Sequence, residues 1–205
     1  MHVMVARAPA EVLQPKSMTL EQWAAMDEDE PGEFVDEQLV EEEMPTILHE
    51  AVVSWLIEDL RRWARPRGGW VFGSEYKLAV SERRGRKADV CMYASAVPLR
   101  GREALSRTPP TVIVEVISQQ PRDIRRDRME KAFEYARFGV RWYWLVDPNA
   151  QLFEIWELGA TAQYVQVKAA STGKVTVSGL DGLEVNLDAL WAEVAPLMDD
   201  NAADE

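Results

Sequence analysis

The run Thr111–Ser118, Thr-Val-Ile-Val-Glu-Val-Ile-Ser, restricts the possible folds more than any other segment of this 205-residue chain. Six of its eight residues are β-branched, which suits a pleated strand. An apolar run without polar alternation marks a strand covered on both faces. Side chains alternate along a strand, so Val112, Val114 and Val116 share one face while Ile113, Glu115 and Ile117 share the other. Glu115 therefore falls in the middle of a core strand. An ionised carboxylate buried there costs several kcal/mol unless it is protonated, ion-paired or metal-bound. An arginine from the following segment, Arg122–Arg128, would satisfy it as a structural pair; a cation would satisfy it as a site.

Further elements follow from pattern. Thr19-Leu20-Glu21-Gln22 has the form of a capping box and opens a short helix through Met26. Phe34–Val40 reads as a short strand, and Glu41–Glu43 as a solvated charge run. Apolar residues at Ile47, Leu48, Ala51, Val52, Trp55, Leu56, Leu60 and Trp63 have helical spacing, closed by Pro66-Arg67-Gly68-Gly69. Trp70–Val80 alternates as a strand, Ser81–Arg86 is a polar turn, and Ala88–Ala94 is a second strand. Ser95–Pro110 is a basic loop. Ile124–Phe138 forms a helix ending at Gly139, and Arg141–Asp147 is another buried strand with Leu152–Leu158 as its hairpin partner. Gln163–Lys168 and Lys174–Ser178 pair as a further hairpin, and Asn186–Met198 is a final amphipathic helix. The step from Thr111–Ser118 through a helix to Arg141–Asp147 has the length of a right-handed crossover, so those two strands are expected to be parallel. The sum is an α/β (α+β) domain over residues 18–198 with a central mixed sheet flanked by helices. Residues 1–17 read as a mobile N-terminal arm and 199–205 as an acidic tail.

Two side chains join Glu115 as candidates. In the strand Ala88–Ala94, Asp89 shares a face with Cys91 and Tyr93; an aspartate there is otherwise an edge or turn residue. If the two strands pair, Asp89 and Glu115 converge closely enough to hold a divalent cation, since Mg²⁺ takes one or two carboxylates and keeps several waters. Lys131 lies on the partly apolar stripe of the 124–138 helix and either reaches the carboxylates or runs its ammonium out to solvent. Arg122, Arg125, Arg126 and Arg128 nearby suit a phosphate backbone.

Composition narrows the classes. Hydrophobic residues are 47% and charged residues 28%, which is ordinary globular usage. The apolar runs stay far short of the roughly 20 residues that a bilayer span needs. No secretory signal is read at the N-terminus. The single cysteine, Cys91, makes no internal disulfide, which fits a reducing cytoplasm. Cys91 has no Cys/His partners at zinc-site spacing. The formal net charge is -12, yet residues 61–141 hold 19 Lys+Arg against 9 Asp+Glu. A basic centre between acidic ends points to an anionic ligand, or to arginines that solvate helix and loop faces.

With those residues in place, a resemblance emerges. Asp89, Glu115-Val116-Ile117-Ser118, Asp127-Arg128-x-x-Lys131-x-x-x-Tyr135 and Gly139-Val140-x-x-Tyr143-Trp144-x-Val146-Asp147-Pro148 resemble the Uma-two family of endonucleases within the PD-(D/E)XK nuclease superfamily. Glu33-Phe34-Val35-Asp36 and His49 resemble its N-terminal pattern, and the likeness runs from Thr19 to Leu158. It implies a restriction-endonuclease-like core and metal-dependent hydrolysis of DNA phosphodiesters. Asp89 and Glu115 are then ligands of Mg²⁺ (or Mn²⁺), Lys131 is the catalytic lysine, and Glu33 and His49 stand as supporting residues. His49 is otherwise a half-buried helix histidine. DNA, or RNA, is the implied partner, with a homodimer suited to cutting both strands of a duplex. The superfamily's Pro-Asp is Ala88-Asp89 here, and Ile117 stands where its lysine usually follows the glutamate. A catalytically inactive member of the fold, binding nucleic acid or a protein partner, is the alternative.

Overall fold

The computed structural model describes residues 17–27, 32–40, 44–118 and 125–198. The expected arm up to residue 16, the charge run 41–43, the acidic tail from 199 and Arg122 lie outside these residues. In chain order the elements are α1 (Leu20–Ala24), β1 (Glu33–Val35), β2 (Gln38–Val40), α2 (Ile47–Ala64), β3 (Trp70–Phe72), β4 (Lys77–Ser81), β5 (Arg84–Lys87), β6 (Val90–Tyr93) and β7 (Val112–Val116). A π-helical turn (Arg126–Lys131) then leads into α3 (Ala132–Phe138), followed by β8 (Trp142–Asp147), β9 (Leu152–Leu158), β10 (Tyr164–Ala170), β11 (Lys174–Thr176), β12 (Glu184–Asn186) and α4 (Leu187–Val194).

The apolar strands gather into one six-stranded sheet of order β10-β9-β8-β7-β6-β3. β7 and β8 run parallel, as the crossover length requires, and the remaining pairings are antiparallel. Both faces are covered. Val112, Val114 and Val116 pack with Val52, Leu56, Leu60, Leu190 and Trp191 of α2 and α4. Ile113 and Ile117 pack on the opposite face with Cys91, Leu78, Tyr135, Tyr143 and Leu145. A second sheet of order β2-β1-β5-β4 contributes Leu78 and Val80 to that side. Each fully buried valine or leucine in these clusters contributes about 1.5–3 kcal/mol. Among the described residues, no helix is long and apolar enough to cross a membrane.

Local signals account for most boundaries. Thr19 accepts from the Gln22 amide while Gln22 reaches back to the Thr19 amide, completing the capping box. Thr46 caps α2 through the His49 amide. Gly139 ends α3 with φ 97°, a left-handed conformation that suits glycine. At Gly85 the reason is proximity: a Cβ there would lie 2.4 Å from the Trp23 ring, so α1 sits directly on β5.

Four expectations need correction. Residues 34–40 do not form one strand. Asp36 takes φ 48 and Glu37 φ 66, both positive, and this turn folds the segment into the β1–β2 hairpin. Residues 70–80 break at a turn in which the Tyr76 amide donates to the Gly73 carbonyl, placing β3 and β4 in different sheets. Residues 81–86 are not all turn, because Arg84–Lys87 is strand β5, its charges met by acids from other elements. Finally, β10 pairs with β9 and β11 with β12, so residues 163–168 and 174–178 form no hairpin with each other.

Candidate active site

Each acid reaches the site from a different element. β6 pairs with β7 in the register Val90 opposite Val114, which sets Asp89, just before β6, beside Glu115. Glu115 is 2% exposed. Its Oε1 accepts from the Tyr135 hydroxyl at 2.7 Å and its Oε2 from Lys131 Nζ at 3.0 Å. Asp89 Oδ2 accepts from the Val116 amide at 2.6 Å and lies 3.2 Å from His49 Nε2, so α2 reaches the site from the opposite layer. Glu33 arrives from β1, where its carboxylate accepts from Arg86 Nη1 and from the Lys87 amide. Asp127 and Lys131 both come from the π-helical turn.

Lys131 gathers the acids. Its ammonium, 3% exposed, is 3.0 Å from Glu115, 3.5 Å from Asp127 and 3.8 Å from Glu33. A chain of charges continues outward: Arg86 bridges Glu33 and Glu134, Arg84 bridges Glu134 and Asp36, and Asp36 is half-exposed. Tyr143 donates its hydroxyl to the Asp127 carbonyl at 2.9 Å and pins the widened turn. Single π-turns within helices recur at functional sites.

The electrostatics follow from crowding. Burial above all, then the charges of Asp89, Asp127 and Glu33, push the Glu115 carboxyl well above the usual carboxylate range against the pull of Lys131. Burial likewise raises Asp127, with Asp89 and Glu33 adding to it and Lys131 and Arg126 opposing. Glu33 differs: burial would raise it, but Lys131, Arg86 and the Lys87 amide together hold it low. Burial works against a charged His49, yet Asp89 and Glu50 outweigh it and raise the imidazole.

The donor set suits a hard divalent cation. It is carboxylate oxygen, it is crowded with negative charge, and Asp127 Oδ1 is buried without a hydrogen-bond partner. Among the described residues, no three His, Cys, Asp or Glu side chains close on one point. Two surface hollows of about 820 and 530 Å³ lie elsewhere, beside α1 and in the 98–108 loop, and neither is lined by these acids. At the cluster itself, Asp89 and His49, each 16% exposed at the side chain, form the most open edge.

The structure thus brings Asp89, Glu115, Lys131, Glu33 and His49 together. The arginines fare differently. Arg125 is exposed, Arg126 is half-buried beside Asp127, and Arg128 turns inward to Glu154 of β9 at 2.5 Å rather than outward to a phosphate. Asp127, Tyr135, Arg86 and Glu134 complete the cluster without having been assigned a role from sequence. Asp127 and Tyr135 stand four residues either side of Lys131, a spacing that held the clue.

A twisted mixed sheet, acids at adjoining strand ends and a helix-borne lysine above them define a nuclease fold of the restriction-endonuclease type. The crystal structure of a "putative nuclease" belonging to DUF820 from Anabaena variabilis matches with TM-score 0.69 and 17% sequence identity. The match covers 86% of this chain and 99% of that one, which establishes the shared fold. The profile of the Uma2 family, described as "Putative restriction endonuclease", matches residues 18–190, and the chain belongs to that family. No curated protein matches it.

Proposed function

We propose that the protein is a metal-dependent endonuclease that hydrolyses DNA phosphodiesters, with RNA as the other nucleic acid its chemistry would admit. The observation that carries this reading is the convergence of Asp89 and Glu115 from neighbouring strands, with the Lys131 ammonium 3.0 Å from Glu115. Asp89 and Glu115 would hold Mg²⁺ or Mn²⁺, which would polarise the phosphodiester and ease deprotonation of a water. Lys131 would orient the attacking water and meet the negative charge that develops on the phosphoryl oxygens. Water adds to phosphorus, one P–O bond breaks, and the strand is left with a phosphate monoester and a hydroxyl at the cut. His49 holds Asp89 through Nε2, and Glu33 and Tyr135 fix Lys131 and Glu115. The family's description supports the substrate class. Two copies related by a two-fold axis would cut both strands of a duplex, and a monomeric mass by light scattering would remove that part of the reading.

Incubation with plasmid DNA and Mg²⁺ or Mn²⁺ tests the proposal. Cleavage is expected, lost in EDTA and in Asp89→Ala; cleavage that persists in either would overturn the mechanism. One observation favours a second reading, a non-catalytic nucleic-acid-binding member of the fold. Both Glu115 oxygens are already bonded, and Ile117 stands where the superfamily's lysine usually lies. DNA binding without turnover in any divalent metal would decide for it.

A further inference from the structure

We infer that the β3 edge of the six-stranded sheet carries a subsite for an unpaired base of a single-stranded nucleic acid, formed by the rings of Trp70, Phe72 and Tyr76 and the basic loop 98–108. The inference deepens the nuclease reading above and rests on it for the class of partner. Trp70 and Phe72 stack with ring centroids 6.2 Å apart and planes at 9°, and Phe72 and Tyr76 at 4.2 Å and 12°. Three near-parallel rings thus stand in a row, and Trp70 at its end is 55% exposed. Tyr93 buttresses the row edge-on, at 78° to Phe72 and 90° to Tyr76. Its hydroxyl donates to the Thr108 carbonyl at 2.7 Å, which fixes the loop against the rings. Between them lies the hollow of about 530 Å³, with Phe72 and Tyr76 on the strand side and Arg100 and Arg107 on the loop side.

Register ties this edge to the acids. β3 pairs with β6, Trp70 opposite Tyr93 and Phe72 opposite Cys91. Opposed residues share a face of the sheet, and Cys91 lies opposite Ile113 on the face that bears Glu115. The rings therefore stand on the same face as Asp89 and Glu115, two strand spacings, or about 10 Å, from β7. A nucleic-acid strand with one phosphate at the acids would carry nearby nucleotides over this edge. Charge names the occupant. Arg100 pairs with Glu103 and Arg107 with Glu21, but all four side chains are solvent-exposed. Such pairs contribute little, so both guanidinium groups can turn to phosphate, and Arg102 between them is exposed as well. Every base has a face to stack on a flat ring, while arginines meet the backbone. A proline-rich peptide also lies in aromatic grooves, but it leaves the arginines without a counter-charge.

Binding in EDTA, where metal-dependent cleavage is silent, tests this. A fluorescein-labelled oligothymidylate and a blunt DNA duplex are titrated by anisotropy with wild type, Trp70→Phe and Trp70→Leu. Wild type is expected to bind the single strand, and W70F, which keeps a flat ring, to bind it nearly as well. W70L keeps the apolar bulk without the ring and is expected to lose about fivefold or more, stacking being worth roughly 5- to 150-fold per base. Duplex affinity is expected to stay the same in all three. Equal single-strand affinity in W70L and wild type overturns the inference, and so does an equal loss on the duplex. A second measurement needs no folded W70L: oligothymidylate is expected to quench the tryptophan fluorescence of wild type more than that of W70F, and equal quenching overturns the inference. A proline-rich peptide that binds through Trp70 where oligothymidylate does not would reassign the groove to a protein partner and also overturn it. Plasmid cleavage with Mg²⁺ is followed separately. Wild type that cleaves but ignores the single strand loses the subsite and keeps the proposed function; wild type that binds through Trp70 but never cleaves keeps the subsite and loses the hydrolytic reading.

Discussion

Glu115 was legible in the sequence because its environment was: a charge among β-branched residues on a doubly covered strand has few solutions. Its position also fixes a sign. The usual carboxyl value is near 4.5, and burial raises Glu115 well above it. Between those two values the unfolded chain has lost a proton that the folded protein keeps. Stability from this group is therefore present at low pH and lost as pH rises through the window. Glu115→Gln, which resembles the protonated form, is expected to raise Tm in EDTA. The gain over wild type should be negligible near the usual value of 4.5 and grow as pH rises above it, followed by thermal melts at each pH. A gain independent of pH would mean that Glu115 is ionised against Lys131 in the metal-free fold. Glu33 has the opposite sign, its stabilising share being present above the unfolded value and fading in acid. Asp127 was harder to see. Helical spacing implied an ordinary α-helix, and the π-turn that brings it inward leaves no trace in apolar periodicity.

At the level of elements, β5 shows why charge patterning misleads. Arg84, Gly85 and Arg86 fall in the stretch Ser81–Arg86 that reads as a polar turn, yet Arg86 is 2% exposed. Its partners, Glu33 and Glu134, are 53 and 48 residues away in sequence, beyond the reach of any local window. The parallel β7–β8 pair, by contrast, followed from the length of the crossover. Gly85 ties the second sheet to α1 by allowing the Trp23 ring to rest on the β5 backbone. Gly85→Ala would force that ring away from a Cβ at 2.4 Å. The substitution is expected to cost about 1–3 kcal/mol, as overpacking does. A lowered urea midpoint with an unchanged m-value checks it; an unchanged midpoint would mean that α1 shifts freely.

Across the whole molecule, the basic centre proves less available than its count of 19 Lys+Arg suggests. Arg84 and Arg86 are bound to Glu134, Arg128 to Glu154, Arg62 to Glu58 and Asp59, and Lys77 donates to carbonyls of the α1 segment. Much of that charge holds the fold together. DNA binding measured without metal should therefore weaken with salt on a shallow slope. About five phosphate contacts or fewer are expected, at roughly 0.9 log units of affinity per contact for each decade of salt. A slope of about −10 would instead require the paired arginines to let go of their acids and turn to the backbone.

Glu33, Asp89, Glu115 and Lys131 sit on four separate stretches of the chain, joined through two sheets and a helix. A fragment that lacks any one of these stretches cannot therefore rebuild the cluster. A protease cut between positions 33 and 131 that lets one stretch drift away would dismantle it while leaving most of the polypeptide intact.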